Sequence, residues 1–177
     1  MYKEKHLFLL LILLMCGHAD AWAQNKIVIP DTDKYQVLTG DMHIHTIFSD
    51  GNVWPTTRVE EAYAEGVEVI CITDHLDHRH KRLVNNGDFT RDRNYSYDVA
   101  AKRGEALGVI VIKGAEISRG MPPGHFNTLF ISDVEPIAQA SDAQEDHQKG
   151  MLAGLEEAAK QNAFCVWNHP HWYARLR

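Results

Sequence analysis

Eight histidine and carboxylate side chains stand in short, motif-like settings along this 177-residue sequence. His43 and His45 lie with Asp50 in DMHIHTIFSDG, and Asp74 precedes His75 in ITDH. Glu116 sits in KGAEIS, His125 in PPGHFN and His169 in WNHPH. Most of these stretches follow an apolar run that reads as a β-strand. Imidazole and carboxylate groups gathered at strand ends are what a multi-metal hydrolase needs.

Each residue also has a plainer reading. His43 and His45 are two apart on an expected strand, so both face one side and can clasp one cation together; an isolated His-x-His pair is weak by itself. Asp50, in Ser49-Asp50-Gly51, is ordinary turn chemistry unless its neighbours recruit it. Asp74-His75 at a strand end offers a ligand and an orienting partner, because ligating imidazoles usually donate their second N–H to a carboxylate or carbonyl. Asp74 as a cap or turn residue is the competing reading. Glu116 lies in an apolar setting, where a charge is costly unless paired or metal-bound; its two oxygens could bridge two cations, and a salt bridge to a Lys or Arg is the alternative. His125 follows a stiff Pro-Pro-Gly turn, and His169 ends an apolar strand before Pro170. It is the set that carries the metal reading.

These residues must be positioned by alternating strands and helices. The spacing predicts a strand over 37–46, then a helix opened by Pro55 and ended by Gly66. A buried strand follows over 67–73. After a polar segment come a helix over 95–107, stopped at Gly108, and a strand over 109–113, with Gly114 to Ile117 leading off it. A strand over 127–131, one helix over about 142–161 and a strand over 164–167 complete the pattern. Repeated βα units with short β-rich runs indicate an α/β fold with a mostly parallel sheet. Sites in such folds gather at the carboxyl ends of strands. His78, His80 and His171 are nearby extras, and His147 belongs to a polar, solvated helix.

The N-terminus reads as a signal segment over residues 1–23. Lys3 and Lys5 precede an apolar run from Leu7 to Met15, and Ala21-Trp22-Ala23 supplies a small-residue cleavage pattern. Cleavage after Ala23 makes the protein exported, periplasmic or secreted, with no transmembrane segment in the mature chain; a lipid anchor at Cys16 is the less favoured reading. Residues 24–35 form an extended leader, and 36–177 the domain. A net charge of −6 argues against a nucleic-acid or membrane-surface binder. Cys71 and Cys165 lie inside apolar runs and are expected as buried thiols.

The ordered combination DMHIHTIFSDG, ITDH, GAEIS, GHFN and NHP resembles the polymerase and histidinol phosphatase (PHP) family of metal-dependent phosphoesterases, from about Asp41 to His171. HTIFSDGNVWPTTRVEEA and MPPGHFNTLFISD look most like its secreted phosphodiesterase branch. The resemblance implies a distorted (β/α)7 barrel with two or three divalent metal ions, Zn, Mn or Fe. It implies that His43, His45 and Glu116 hold a first metal. Glu116 would bridge to a second, held also by His125 and His169, and Asp50 and His75 would hold a third. Asp74 is then an orienting partner of the site. The family pattern closes with an Asp-x-His element that does not follow His169 here, so the chain is expected to be the N-terminal part of a longer barrel.

The expected reaction is hydrolysis of a small-molecule phosphate ester, diester or monoester, by a metal-bridging hydroxide. Arg119 beside Glu116, and Arg58, are candidate phosphate clamps, since guanidinium forks suit phosphate geometry. Amide or ester hydrolysis at the same metals, and an inactive metal-binding remnant, are the alternatives. The oligomeric state is not legible.

Overall fold

A computed structural model describes residues 28–77, 92–118 and 124–170. The expected signal segment with Cys16, and His78, His80, Arg119 and His171, lie outside the described residues. Residues 28–35 form no helix or strand and are exposed. The body is α/β: a curled, five-stranded half-barrel sheet with four helices. In chain order the elements are β1 (Gly40–Ile44), α1 (Pro55–Glu65), β2 (Val69–Ile72), α2 (Tyr95–Leu107), β3 (Ile110–Ile117), β4 (His125–Leu129), α3 (Glu135–Asp142), α4 (His147–Lys160) and β5 (Phe164–Asn168). The strands lie side by side in sequence order. No helix of the described residues is long and apolar enough to cross a membrane.

Local chemistry explains the boundaries. α1 begins with Pro55, whose fixed φ suits the first turn, and ends at Gly66 in the left-handed region (φ 75°). α2 ends the same way at Gly108. β2, the run Val-Ile-Cys-Ile, is buried along its whole length. Ile70 and Ile72 share a face and pack with Ile44, Val59, Ala62 and Ala100 under α1 and α2. Burying each of these isoleucine and valine side chains contributes about 1.5–3 kcal/mol. Ala115 and Ile117 of β3 join Ile131, Ile137, Ala138 and Met151 under α3 and α4. Strand alternation sends Glu116, between Ala115 and Ile117, to the opposite, concave face.

Three expectations are corrected. The sheet is not mostly parallel in its pairings: β1–β2 and β2–β3 are parallel, but β3–β4 and β4–β5 are antiparallel. Seven residues join β3 to β4, and a parallel crossover needs a dozen or more. The helix expected over about 142–161 starts later, as α4 at His147, where the Asp146 side chain caps it by accepting from Lys149 N at 2.9 Å, and α3, with Pro136 in its first turn, is a helix the spacing did not predict. Cys165 is exposed, whereas Cys71 is buried as expected. Among the described residues β5 is the last strand of the sheet, and four of its five residues are exposed. Strand boundaries also move. β3 runs on through Ile117, which puts Glu116 inside the strand, and β4 starts at His125 and stops before Phe130, whose φ is 64°.

Candidate metal centre

Glu116 is the hub. It is fully buried on the concave face of β3, the central strand of the five. Its two oxygens face different neighbours. Oε2 lies 3.2 Å from His43 Nε2, 3.1 Å from His45 Nε2 and 3.3 Å from His75 Nδ1. Oε1 lies 3.1 Å from His125 Nδ1 and 3.3 Å from His169 Nε2. The two oxygens thus collect imidazoles from opposite ends of the sheet.

The strands deliver these side chains by register. Glu116 pairs with Asn127 on β4, and His125, two residues earlier, shares that face and pairs with Asn168. His169 follows directly on β5, with φ at 29°, a strained conformation for a residue before proline. On the other side His43 and His45 come off β1, with their Nε2 atoms 2.9 Å apart. His75 follows β2 and forms a bridge with Glu116 at backbone level.

Asp50 completes the group from its turn. Its Oδ1 is 3.2 Å from His45 Nδ1 and its Oδ2 3.5 Å from His75 Nε2. Gly51 packs so closely that a Cβ there would come within 2.5 Å of the His45 carbonyl oxygen. That turn therefore has no room for a side chain beside a site histidine.

The donor atoms of three sets lie within 4.8 Å of one another: His43, Glu116 and His169; His45, Asp50 and His75; and His75, Glu116 and His125. His43 therefore stands near both ends, and its ring stacks on His169 at 5.9 Å.

Electrostatics follow from this crowding. Burial disfavours the Glu116 carboxylate more than any other single effect. Hydrogen bonds from His125, His43 and His45 and the charge of His75 outweigh it and hold the carboxyl far below the usual range. Burial also lowers the His45 pKa, but its bond to Glu116 and the charges of Glu116, Asp50 and Asp74 raise it overall. For His75 burial prevails and the pKa falls, with His45 helping to lower it.

Asp74 does not face this hub. Its oxygens accept from Thr46 N, Thr46 Oγ1 and Ser49 Oγ, each at 2.7 Å. It ties the loop after β1 to the end of β2, so it positions the site and its oxygens are already committed. Arg58 donates its Nε to the His45 carbonyl (3.0 Å) and pairs through Nη1 with Glu61 (2.9 Å). It borders a cleft of about 350 Å³ that His43, His45 and Asp41 also line. His147 is exposed at the start of α4, as expected.

Two asparagines were not singled out from the sequence. Asn168 is buried and donates to Glu116 Oε1 (3.1 Å) and to Asn127 Oδ1 (2.7 Å); Asn127 in turn donates to the Met42 carbonyl. The available signal was an amide at the end of an apolar strand, next to a candidate ligand. Ser49, Ser118 and Asp77 were passed over too. Each is an ordinary turn or strand-end residue until its partner in space is known.

The PHP domain family matches residues 41–163. A two-domain protein from Bacteroides vulgatus, containing a predicted PHP-like metal-dependent phosphoesterase, superposes with a TM-score of 0.71 and is 42% identical. The similarity covers 85% of this chain and 40% of that one. A 5'-3' exoribonuclease of Haemophilus influenzae is 33% identical over 78 residues, 44% of this chain and 23% of that protein. The chain thus spans less than half the length of either relative.

Proposed function

Since the chain belongs to the PHP domain family, we propose that it hydrolyses a small-molecule phosphate ester with the help of two or three divalent ions. The observation that carries this reading is the two-sided Glu116 carboxylate, with imidazoles of β1 and β2 on one oxygen and those of β4 and β5 on the other. The donor set fits cations. Two ligands ~2.1 Å from one ion lie roughly 3.0–3.4 Å apart. The contacts of Glu116 to its histidines span 3.1 to 3.3 Å. Mixed imidazole and carboxylate donors suit Zn, Mn or Fe(II).

On this reading His43, His45 and Glu116 hold one ion, and Glu116, His125 and His169 a second. Asp50 and His75 contribute to a third. Bound there, divalent ions supply Lewis acidity toward phosphoryl oxygens and make water a nucleophile near neutral pH. The chain's own groups do the rest. Glu116 stays ionised and balances the positive charge. Asn168 fixes the orientation of Oε1. Arg58, at the cleft, presents a guanidinium to an anionic substrate, and Arg119 is the second arginine we assign to that task. The net charge of −6 favours a small ester over a long polyanion. The N-terminal pattern of Lys3, Lys5, the apolar run and Ala23 supports export to the periplasm or beyond, with Gln24 as the mature N-terminus.

The test is a panel of chromogenic phosphate monoesters and diesters, an RNA oligonucleotide, and amide and carboxylic ester substrates, run with added Zn, Mn or Fe(II). Turnover of a phosphate ester is expected. It should be lost with chelator, restored by metal and inhibited by inorganic phosphate. Amidase or esterase turnover without phosphatase turnover would overturn the reaction assigned.

A further inference from the structure

Two histidines of the centre carry matching supports that lie outside the set of candidate ligands. His45 Nδ1 lies 3.3 Å from Ser49 Oγ, and Ser49 Oγ donates to Asp74 Oδ1 at 2.7 Å. His75 Nδ1 lies 2.7 Å from Ser118 Oγ, and Ser118 Oγ donates to Asp77 Oδ1. Both serines are buried, at 1% and 6% exposure. The chains arise independently. One runs from β1 through its loop to the end of β2, the other from the end of β2 to the end of β3.

A serine hydroxyl has one proton. Each of these protons is directed at a carboxylate, which is acceptor-only when ionised. Each serine oxygen can then meet its imidazole only as an acceptor, so the proton of the bond belongs to histidine Nδ1. A neutral imidazole protonated at Nδ1 leaves its lone pair on Nε2. For His45 that lone pair points to Glu116 Oε2 and His43 (3.1 and 2.9 Å). For His75 it points to Asp50 Oδ2 (3.5 Å) and away from the Glu116 side, which its Nδ1 faces. At His45 two carboxylates compete, Asp50 Oδ1 (3.2 Å) calling for a donor on Nδ1 and Glu116 Oε2 (3.1 Å) for one on Nε2, and the Ser49 oxygen beside Nδ1 (3.3 Å) adds the second acceptor that tips the balance to Nδ1–H.

We propose that Ser49 and Ser118, oriented by Asp74 and Asp77, are positioning residues that lock His45 and His75 in the Nδ1–H tautomer and so present Nε2 to cations. The lock decides how His75 serves. It joins Asp50 through Nε2 instead of joining Glu116 and His125 through Nδ1. The consequence for cation binding rests on the function proposed above; the tautomers themselves do not.

The experiment uses the full chain with ¹⁵N-labelled histidine, free of metal and above the imidazole titration range, at about pH 8.5. Long-range ¹H–¹⁵N correlation should show His45 and His75 protonated at Nδ1 and bare at Nε2. Ser49→Ala should release His45 alone and Ser118→Ala should release His75 alone. Each should weaken Zn or Mn binding, read by calorimetry, by roughly 10–100-fold. Ser49→Thr and Ser118→Thr, which keep the hydroxyl, should recover most of that loss; a merely structural role gives no such residue-by-residue tautomer change. An Nε2–H tautomer at either histidine of the unmodified chain would overturn the proposal, and so would alanine variants that leave tautomer and affinity unchanged. Correct tautomers without phosphate-ester turnover would uphold this lock while sinking the reaction proposed above.

Discussion

β2 and β5 look alike on paper. Each is a short apolar strand with a cysteine inside it, and each is followed within a few residues by a histidine of the centre. Their environments are opposite. Among the described residues, β2 pairs on both edges and is buried throughout, whereas β5 pairs on one edge and exposes Phe164, Cys165, Val166 and Trp167. What they share is confined to their carboxyl ends. There Asp74 and His75 on one, and Asn168 and His169 on the other, turn toward the concave face around Glu116 or the loop that frames it. The body of a strand answers to its place in the sheet. Its last residues answer to the site.

The comparison breaks first if the hub is not shared by both ends. Glu116→Gln removes the charge that both sides use. Metal content and phosphate-ester turnover should each fall by at least ~100-fold, with helical content retained. Retained stoichiometric metal, read by elemental analysis, would mean that the two ends bind independently. The difference in burial comes next. Ile72→Ala in β2 should cost about 2–5 kcal/mol in urea unfolding. Val166→Ala in β5, at 37% exposure, should cost less than ~1 kcal/mol. Equal costs would show that β5 is as buried as β2.

Smaller effects sharpen the picture at the strand ends. Gly51→Ala forces a Cβ onto the His45 carbonyl and should weaken metal binding about tenfold, comparable to losing a partner that orients a ligand. Titration supplies a sign. His45 has a pKa raised above 6.5, so a cation must displace its proton, whereas His75, with a lowered pKa, is already neutral there. Affinity should therefore rise as pH climbs above 6.5. Calorimetry in buffers of differing ionisation enthalpy should register proton release, and an affinity that falls with pH would contradict the arrangement. Smallest is the thiol contrast. Cys71, its pKa pushed up to about 12 mainly by burial, should resist iodoacetamide until the protein unfolds. Cys165 should be labelled in the folded state, though slowly, because partial burial raises its pKa too.

Much of the scaffold was legible because its signals are local. Pro55 and Gly66 bracket α1, and Gly108 closes α2 where the spacing placed it. The direction of β4 was not legible: strands expected over 109–113 and 127–131 left a connection long enough for a parallel crossover, and it shrinks to seven residues only because β3 runs through Ile117 and β4 starts at His125. The convergence of the candidate ligands was anticipated from their positions after apolar runs, and the coordinates bring all seven together. The supporting groups were not legible. Ser118 and Asp77 are 41 residues apart, and Asn168 and Asn127 also 41. Nothing in the residues around them says that a hydroxyl or an amide is spoken for. The exposure of Cys165 was hidden for a related reason. Apolar composition marks a strand, while its burial depends on what lies beside it.

Glu116 meets His43 across 73 residues of sequence and His169 across 53. Such contacts are the slowest a chain forms, because loop closure must precede any reward. A cation needing donors across either span cannot seat itself on a nascent strand pair. It would arrive last, and by favouring the assembled sheet over every looser arrangement it would act as the latch on the topology.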